Sequence, residues 1–433
     1  MSSSENLAIA IDLGTTTIAA SLLNRESGER LAFAGSLNPQ RSFGADVISR
    51  MDAACSSPEA LAEMTLLVNA ELESLAVRLL EEGKSVPENL AAIAIAANPA
   101  MEHLLLGLPV TSLAFPPYRP LFTAGKRMDT AALGWKMKVD AYLFPLPGGF
   151  VGGDLVAFLF GVDATGPRSP IPSGHGGSGP RLFLDLGTNG EIALVAGEKV
   201  FATSAAAGPA FEGGNLDCGM AALPGAISGV RFDGDRISLS VIGGGVPAGI
   251  CGSGVIETIS GLLQAEVLDP TGRLLLSGEI SSNLANRMIS RDGESAFLLY
   301  RDARREIVLT QQDIRQVQLA KGAIRAGIEV LCERAHIDHE EVREAVLTGS
   351  FGARLTPEGL KNIGVFPGKM VEVSRFVREG ALAGVEKTLC SLGGIEELER
   401  VASSMRVIPL SGTPSFEKHF LEQINFPNIH LIL

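Results

Sequence analysis

Short apolar runs and longer one-sided segments alternate along the chain, and one such passage occurs twice. Leu7-Ala8-Ile9-Ala10 opens a continuous apolar run that leads into Ile11-Asp12-Leu13-Gly14-Thr15-Thr16-Thr17. A short run of this kind, bounded by turn residues, predicts a buried strand. Residues 17–23 then read as a second strand, 24–29 as a polar turn and 31–34 as a third strand. The same order returns after Arg181-Leu182-Phe183, with Leu184-Asp185-Leu186-Gly187-Thr188-Asn189-Gly190, strand 191–196, turn 197–199 and strand 200–204. Helical spacing is clearest over 58–82, where Leu61, Met64, Leu67, Val68, Leu72, Leu75 and Leu79 share a face. It recurs over 310–335 through Ile314, Val317, Ala320, Ile324, Ile328 and Leu331. Residues 90–96 and 345–347 read as buried strands, and 148–154 as a glycine-led entry to a helix running through Phe160. Small residues at 380–384 predict a helix suited to close packing, while Pro-rich 109–120 reads as loop.

An internal repeat has to be read before anything else, and this one carries chemistry. A strand ending in Asp, followed by Gly and hydroxyl residues at a tight hairpin, offers a carboxylate for Mg²⁺ and backbone N–H groups for phosphate. Either copy alone reads equally well as a hairpin whose Gly-Thr or Asn-Gly supplies turn geometry. Matching flanks on both copies favour the phosphate reading, with a triphosphate held between two lobes.

Composition narrows the partners. A chain of 433 residues exceeds one simple core, and 46% hydrophobic with 20% charged residues is globular. A net charge of −13 argues against nucleic acid or anionic membrane as the main partner. It leaves ATP open, because nucleotide sites neutralise phosphate locally. With neither a bilayer-length apolar stretch nor a signal-like start, a cytoplasmic protein is expected. The cysteines, Cys55, Cys218, Cys251, Cys332 and Cys390, are odd in number and lack metal-ligand spacing. No iron–sulfur cluster and no disulfide framework is expected, and Cys251, between glycines, is the one candidate to lie near a ligand. His175, in the Gly/Pro/Ser stretch, reads as a solvated loop residue.

The order of these segments resembles the actin, sugar-kinase and heat-shock chaperone superfamily of ATPases. That resemblance implies an α/β, two-lobed, ribonuclease-H-like duplicated actin-like ATPase fold with a nucleotide cleft between lobes. It implies a first lobe over 1–165, a flexible loop over 166–180 and a second lobe over 181–375. The helical segment 376–433 would pack back on the first lobe. Asp12 with Gly14, Thr15, Thr16 and Thr17 becomes the first phosphate loop, and Asp185 with Gly187, Thr188, Asn189 and Gly190 the second. Asp12 and Asp185 would hold Mg²⁺ mostly through its waters. Asp154, on the glycine-led helix, becomes the general base, its alternative reading being a plain helix N-cap. Thr348 with Gly349, Ser350, Phe351 and Gly352 matches the adenosine segment, and Lys321 would flank the nucleotide.

A closer resemblance is to the ATPase portion of the reductive activators of corrinoid proteins. It is carried by 12–17, Leu37-Asn38-Pro39-Gln40 with 44–50, 149–154, 185–191, 206–213, 249–254, and the closing Phe416-Glu417-Lys418 to Asn425-Phe426-Pro427. It implies ATP-dependent reduction of a cob(II)amide centre to cob(I)amide in a methyltransferase system. The family's ferredoxin-like 2Fe–2S domain has no counterpart here, so a separate ferredoxin is the expected electron donor. The family's Asn-Thr-Thr is Asn98-Pro99-Ala100 in this chain, which puts any role of those hydroxyls in doubt. His103 on its apolar helix reads as a satisfied core residue rather than a cobalt ligand. The rival readings are a sugar-type small-molecule kinase and a nucleotide-gated binding protein, with a homodimer left open.

Overall fold

The apolar run at the start of the chain becomes β1 (Leu7–Leu13), buried along almost its whole length. In the computed structural model, which describes residues 6–163, 179–349 and 356–429, β1 is followed by β2 (Thr17–Asn24), β3 (Arg30–Leu37), β4 (Leu90–Ala97), β5 (Lys126–Asp129) and β6 (Asp140–Leu143). These form one sheet in the order β3-β2-β1-β4-β6-β5. β1 is antiparallel to β2 and parallel to β4, so both its faces need cover and its sequence is apolar apart from Asp12. Next come β7 (Arg181–Leu186), β8 (Gly190–Ala196) and β9 (Lys199–Ala205).

Between them and the end of the chain lie β10 (Ala226–Asp233), β11 (Arg236–Val241), β12 (Gly249–Ile250), β13 (Met288–Arg291), β14 (Glu294–Arg301) and β15 (Glu306–Thr310), in two three-stranded sheets. These strands are absent from the reading of apolar runs. β11 alternates only half-buried and exposed positions, and Gly229 and Gly234 interrupt the hairpin that holds it. With β16 (Glu344–Thr348), β17 (Ser374–Phe376) and β18 (Met405–Val407) the second large sheet is ordered β17-β16-β7-β8-β9-β18. The order β3-β2-β1-β4-β6 is thus repeated as β9-β8-β7-β16-β17, and the sequence repeat is a repeat of topology.

The described residues divide into two compact units, one of 6–163, 195–203 and 379–408, the other of 179–194, 204–349, 356–378 and 409–429. In the first, α1 (Val47–Ser56), α2 (Pro58–Glu82), α3 (Pro99–Leu105), α4 (Thr111–Ala114) and α5 (Gly153–Gly161) accompany the sheet. α2 starts where Ser57 accepts from the Ala60 N–H, with Pro58 in its first turn, and buries Met64, Val68, Leu72, Leu75 and Leu79. The Pro-rich stretch read as loop contains the single turn of α4. The second unit has α6 (Gly252–Gln264), α7 (Gln311–Ala335), α8 (Pro357–Asn362) and α9 (Gly368–Glu372). Thr310 is the N-cap of α7 rather than its first residue, in a reciprocal box with Asp313.

α10 (Gly380–Cys390) and α11 (Gly394–Ser404) return to the first unit, and α12 (Pro414–Gln423) belongs to the second. The small residues of α10 let it press on α5: a Cβ at Gly384 would stand 1.8 Å from the Ala157 carbonyl oxygen. Lys387 then donates to the Phe160 carbonyl at 2.8 Å, and Arg30 pairs with Glu379 and Glu386 at 2.8 and 2.7 Å. Most of the Gly/Pro/Ser stretch read as an interlobe loop, with His175, lies outside the described residues. No helix of the described residues is long and apolar enough to cross a membrane.

Candidate functional site

Asp12 is the penultimate residue of β1, half-buried, opposite Ala96 of β4 and Ala19 of β2. Asp185 is the penultimate residue of β7, half-buried, opposite Thr348 of β16. The duplicated topology therefore puts the two carboxylates at equivalent points, each just before a glycine turn. Gly14 cannot be replaced without collision, since a Cβ would lie 2.6 Å from the Thr17 carbonyl oxygen. That closeness leaves no side chain between the Gly14 backbone and the Thr17 carbonyl.

Two side chains, Asn38 and Asn98, fix the first turn from a distance. Asn38 donates from Nδ2 to the Gly14 carbonyl at 2.9 Å, and its backbone N–H donates to the Thr16 carbonyl at 2.9 Å. Asn98 caps α3 by accepting from Met101 N–H and donates from Nδ2 to Thr15 Oγ1 at 3.0 Å. Met101 Sδ receives both Asn38 Nδ2 at 3.5 Å and Arg50 Nη1 at 3.4 Å. Arg50 has no exposed surface, and burial lowers its pKa to about 10 against the opposing pull of Asp46. Thr17, the first residue of β2, is exposed.

Asp154 is not a helix N-cap. Gly152 holds that position, and Asp154 lies in the first turn of α5 with Oδ1 accepting from the Leu155 N–H at 2.8 Å. Burial raises its pKa to about 6, and the backbone N–H groups of Leu155 and Asp154 itself pull the other way. The entry to α5 is packed hard on α3: a Cβ at Gly152 would lie 2.6 Å from Asn98 Cα and 2.9 Å from Pro99 Cδ. His103 is satisfied as a neutral ring. Its Nδ1 donates to the Pro99 carbonyl at 2.7 Å, its Nε2 accepts from Leu121 N–H at 3.1 Å, and the ring stacks on Phe122.

At the second turn, Gly187 N–H donates to the Asn189 carbonyl at 3.0 Å, and a Cβ at Gly190 would meet Ile324 at 2.9 Å. Thr188 Oγ1 donates to Glu212 Oε2 at 2.5 Å, which brings a carboxylate from the 206–213 motif to this turn. Gly349 has φ +132, and a Cβ there would lie 2.2 Å from the Leu186 carbonyl oxygen. Only glycine can follow Thr348 so closely over the end of β7. Ser350, Phe351 and Gly352 lie outside the described residues. Lys321 is almost fully buried, with its ammonium donating to the carbonyls of Gln423 and Asn425 and facing the Phe426 ring at 5.6 Å. Burial, with Arg325 alongside, lowers its pKa to about 7. It therefore ties α7 to the closing motif of the chain.

Cys251 is buried before α6, its thiol donating to the Ile227 carbonyl at 3.3 Å, and Cys55, Cys218, Cys332 and Cys390 are also free thiols. The residues missing from the motif reading are Asn38 and Asn98 as supports of the first turn, Arg50 behind them, and Glu212 at the second. All four lie inside or beside segments singled out in the sequence, but their roles depend on contacts the spacing does not reveal.

Each turn taken by itself pairs an aspartate with a glycine, a donor set whose chemistry suits a magnesium-bound phosphate. Residues 7–164 match the family model described as the RACo middle region, and residues 179–432 match the one described as the C-terminal domain of RACo, the ASKHA domain. The corrinoid activation enzyme RamQ of Eubacterium limosum is 31% identical over 430 residues, spanning 96% of this chain and 70% of RamQ. The Co(II) methylated amine-specific corrinoid protein reductase of Methanosarcina barkeri is 22% identical over 466 residues, spanning 96% of this chain and 76% of that protein. A solved structure of a reductive activator for a corrinoid, iron-sulfur protein superimposes with a TM-score of 0.86 at 28% identity, covering 100% of this chain and 68% of that one.

Proposed function

The chain belongs to the RACo family, and on that premise we propose that it is an ATP-dependent activator of a corrinoid protein. Its substrate is the cob(II)amide centre of a partner in a methyltransferase system, and its product is cob(I)amide. The observation that carries this reading is likeness along the whole chain to proteins named for corrinoid activation, together with the duplicated Asp–Gly turns.

Mg·ATP, when bound, supplies the phosphoanhydride whose hydrolysis drives an otherwise uphill reduction. Asp12 and Asp185 would each offer a carboxylate to a hydrated Mg²⁺, an ion that gives up its hydration reluctantly. The turns Gly14-Thr15-Thr16-Thr17 and Gly187-Thr188-Asn189-Gly190 present backbone N–H groups to phosphate oxygens. Asn38 and Asn98 hold the first turn rigid through Gly14, Thr16 and Thr15, so positioning is built in before the nucleotide arrives. Asp154 orients the attacking water and takes its proton. The adenosine end falls to the segment from Gly349 through Ser350, Phe351 and Gly352, and Lys321 secures the C-terminal segment through the Gln423 and Asn425 carbonyls.

In this reading the electron comes from a separate ferredoxin-like donor. In the purified protein, Asp12→Ala and Asp185→Ala should each reduce phosphate release from Mg·ATP at least tenfold with unchanged circular dichroism. Unchanged turnover in both variants would remove the nucleotide site. Turnover stimulated by a sugar, with a phosphorylated product, would replace the activator reading by a kinase.

A further inference from the structure

Met101 is buried without exposed surface on α3, and it touches both asparagines that hold the first turn. Its backbone N–H donates to Asn98 Oδ1 at 3.0 Å, which leaves Nδ2 of that amide aimed at Thr15 Oγ1, also at 3.0 Å. Its thioether accepts from Asn38 Nδ2 at 3.5 Å, and the same Nδ2 donates to the Gly14 carbonyl at 2.9 Å. Asn38 Oδ1 meanwhile accepts from the Gln40 N–H at 3.0 Å. The amide therefore cannot be turned over without setting oxygen against oxygen at Gly14 and N–H against N–H at Gln40.

A thioether is a weak acceptor, so its use between two donors calls for a reason. Neither Asn38 nor Arg50 has any exposed surface, and neither can turn its head group to water instead. Asn38 Nδ2 carries two hydrogens, of which the Gly14 carbonyl takes one and the sulfur the other. Arg50 is shorter of acceptors still. Its Nε donates to the Gly44 carbonyl at 3.0 Å and its Nη1 to Met101 Sδ at 3.4 Å, while Nη2 has no hydrogen-bond partner among the described residues. A sulfur has two lone pairs, and two buried donors reach it. A buried donor that loses its acceptor bears the full cost of its desolvation. Deleting the sulfur would strand one hydrogen of the Asn38 amide and one arm of the Arg50 guanidinium together.

The geometry points to Met101 as a positioning residue of the first turn: its backbone aims Asn98 at Thr15, and its thioether, shared with Arg50, aims Asn38 at Gly14. An apolar side chain of similar bulk would fill the same space, so the role lies in the acceptor and not in the packing. The inference rests on the reading of the Gly14 turn as a phosphate site, but the aim of the two amides can be measured without nucleotide.

Met101→Leu supplies the bulk without the acceptor and keeps the backbone N–H that holds Asn98. In nuclear magnetic resonance spectra of ¹⁵N-labelled protein, the side-chain amide signals of Asn38 are the pair missing from Asn38→Ala. In Met101→Leu they should shift and exchange with solvent faster than in wild type, with or without nucleotide, while the pair missing from Asn98→Ala stays in place. Affinity for a fluorescent ATP analogue should fall about tenfold, because a turn that is no longer held must be ordered by the ligand itself. That loss should vanish when Asn38→Ala is already present and persist in full when Asn98→Ala is, since the thioether acts through Asn38 alone. Met101→Gln, which returns an acceptor oxygen at similar reach, should recover the affinity, and it decides the matter by itself if Met101→Leu does not fold. Asn38 signals indifferent to Met101→Leu, an affinity loss of equal size in the Asn38→Ala background, or no recovery in Met101→Gln would each make Met101 a packing residue and overturn the proposal. Displaced Asn38 signals in a protein whose wild type binds no nucleotide would uphold the part played by Met101 and refute the phosphate reading alone.

Discussion

Asp154 has a pKa raised to about 6 by burial, which turns its proposed role into a pH dependence. As the base it must be ionised, so ATP turnover should be low below about pH 6 and rise to a plateau above it, as a stopped-time phosphate assay across pH would record. The effect on folding runs the opposite way. A carboxyl group whose folded pKa is raised binds its proton more tightly when folded, so its contribution to stability erodes as pH climbs from its ordinary range through about 6. Asp154→Asn should cut kcat by two orders of magnitude or more, on the order of general-base losses, while sparing nucleotide affinity in a fluorescent-analogue titration. Loss of affinity instead would make Asp154 a structural residue of α5. At this scale the sequence was legible as to place: Asp12 and Asp185 lie near the ends of β1 and β7, each just before a glycine turn. Asn38, Asn98, Arg50 and Glu212 were not legible as supports of these turns, because their contacts span many residues of sequence. Asn98 reaches back 83 residues to Thr15, and Glu212 reaches back 24 to Thr188.

Helices α5 and α10 meet with so little room that backbone replaces side chain at the contact. Gly161 and Gly384 face one another there, a Cβ at Gly161 falling 2.9 Å from Gly384 N. Gly384→Ala should therefore lower stability by about 1–3 kcal/mol, the usual cost of overpacking, and lower the Tm of the first unit in a thermal melt. A melt unchanged from wild type would mean the helices part without penalty. α7 makes a different kind of contact, since its buried Lys321 is secured by main-chain carbonyls of Gln423 and Asn425. Lys321→Met keeps the apolar stem and deletes the donors. Hydrogen exchange in α12 and the residues after it should quicken, with a stability loss of about 1–3 kcal/mol for the stranded carbonyls. Exchange confined to its wild-type rate would show that Phe426 and its neighbours hold the segment alone. Elements with strong periodicity were legible almost to the residue: α2 over 58–82 and α7 within one residue of 310–335. The strands β10 to β15 were not. They are short, broken by glycine and half-solvated, so they never form an apolar run.

Across the whole molecule, the repeated strand order is what makes two similar aspartate–glycine turns possible in one chain. A strand is flanked on one side by its antiparallel hairpin and on the other by a parallel neighbour, and the aspartate sits at the end of the central strand both times. Repetition was visible in the sequence because the turn chemistry and the apolar strand before it are both local. The net charge of −13 is consistent with a partner recognised by shape and local contacts rather than by broad attraction to a polyanion. The claim on which everything else depends is that nucleotide chemistry at these turns drives reduction of a corrinoid protein. The direct measurement mixes this protein, its cognate corrinoid protein in the cob(II)amide state, a reduced low-potential ferredoxin and Mg·ATP, and follows the corrinoid absorption spectrum. The account predicts conversion to the cob(I)amide spectrum that requires ATP, requires the ferredoxin and falls at least tenfold with Asp12→Ala. Conversion at the same rate without ATP, or with Asp12→Ala in place of the wild type, would contradict it.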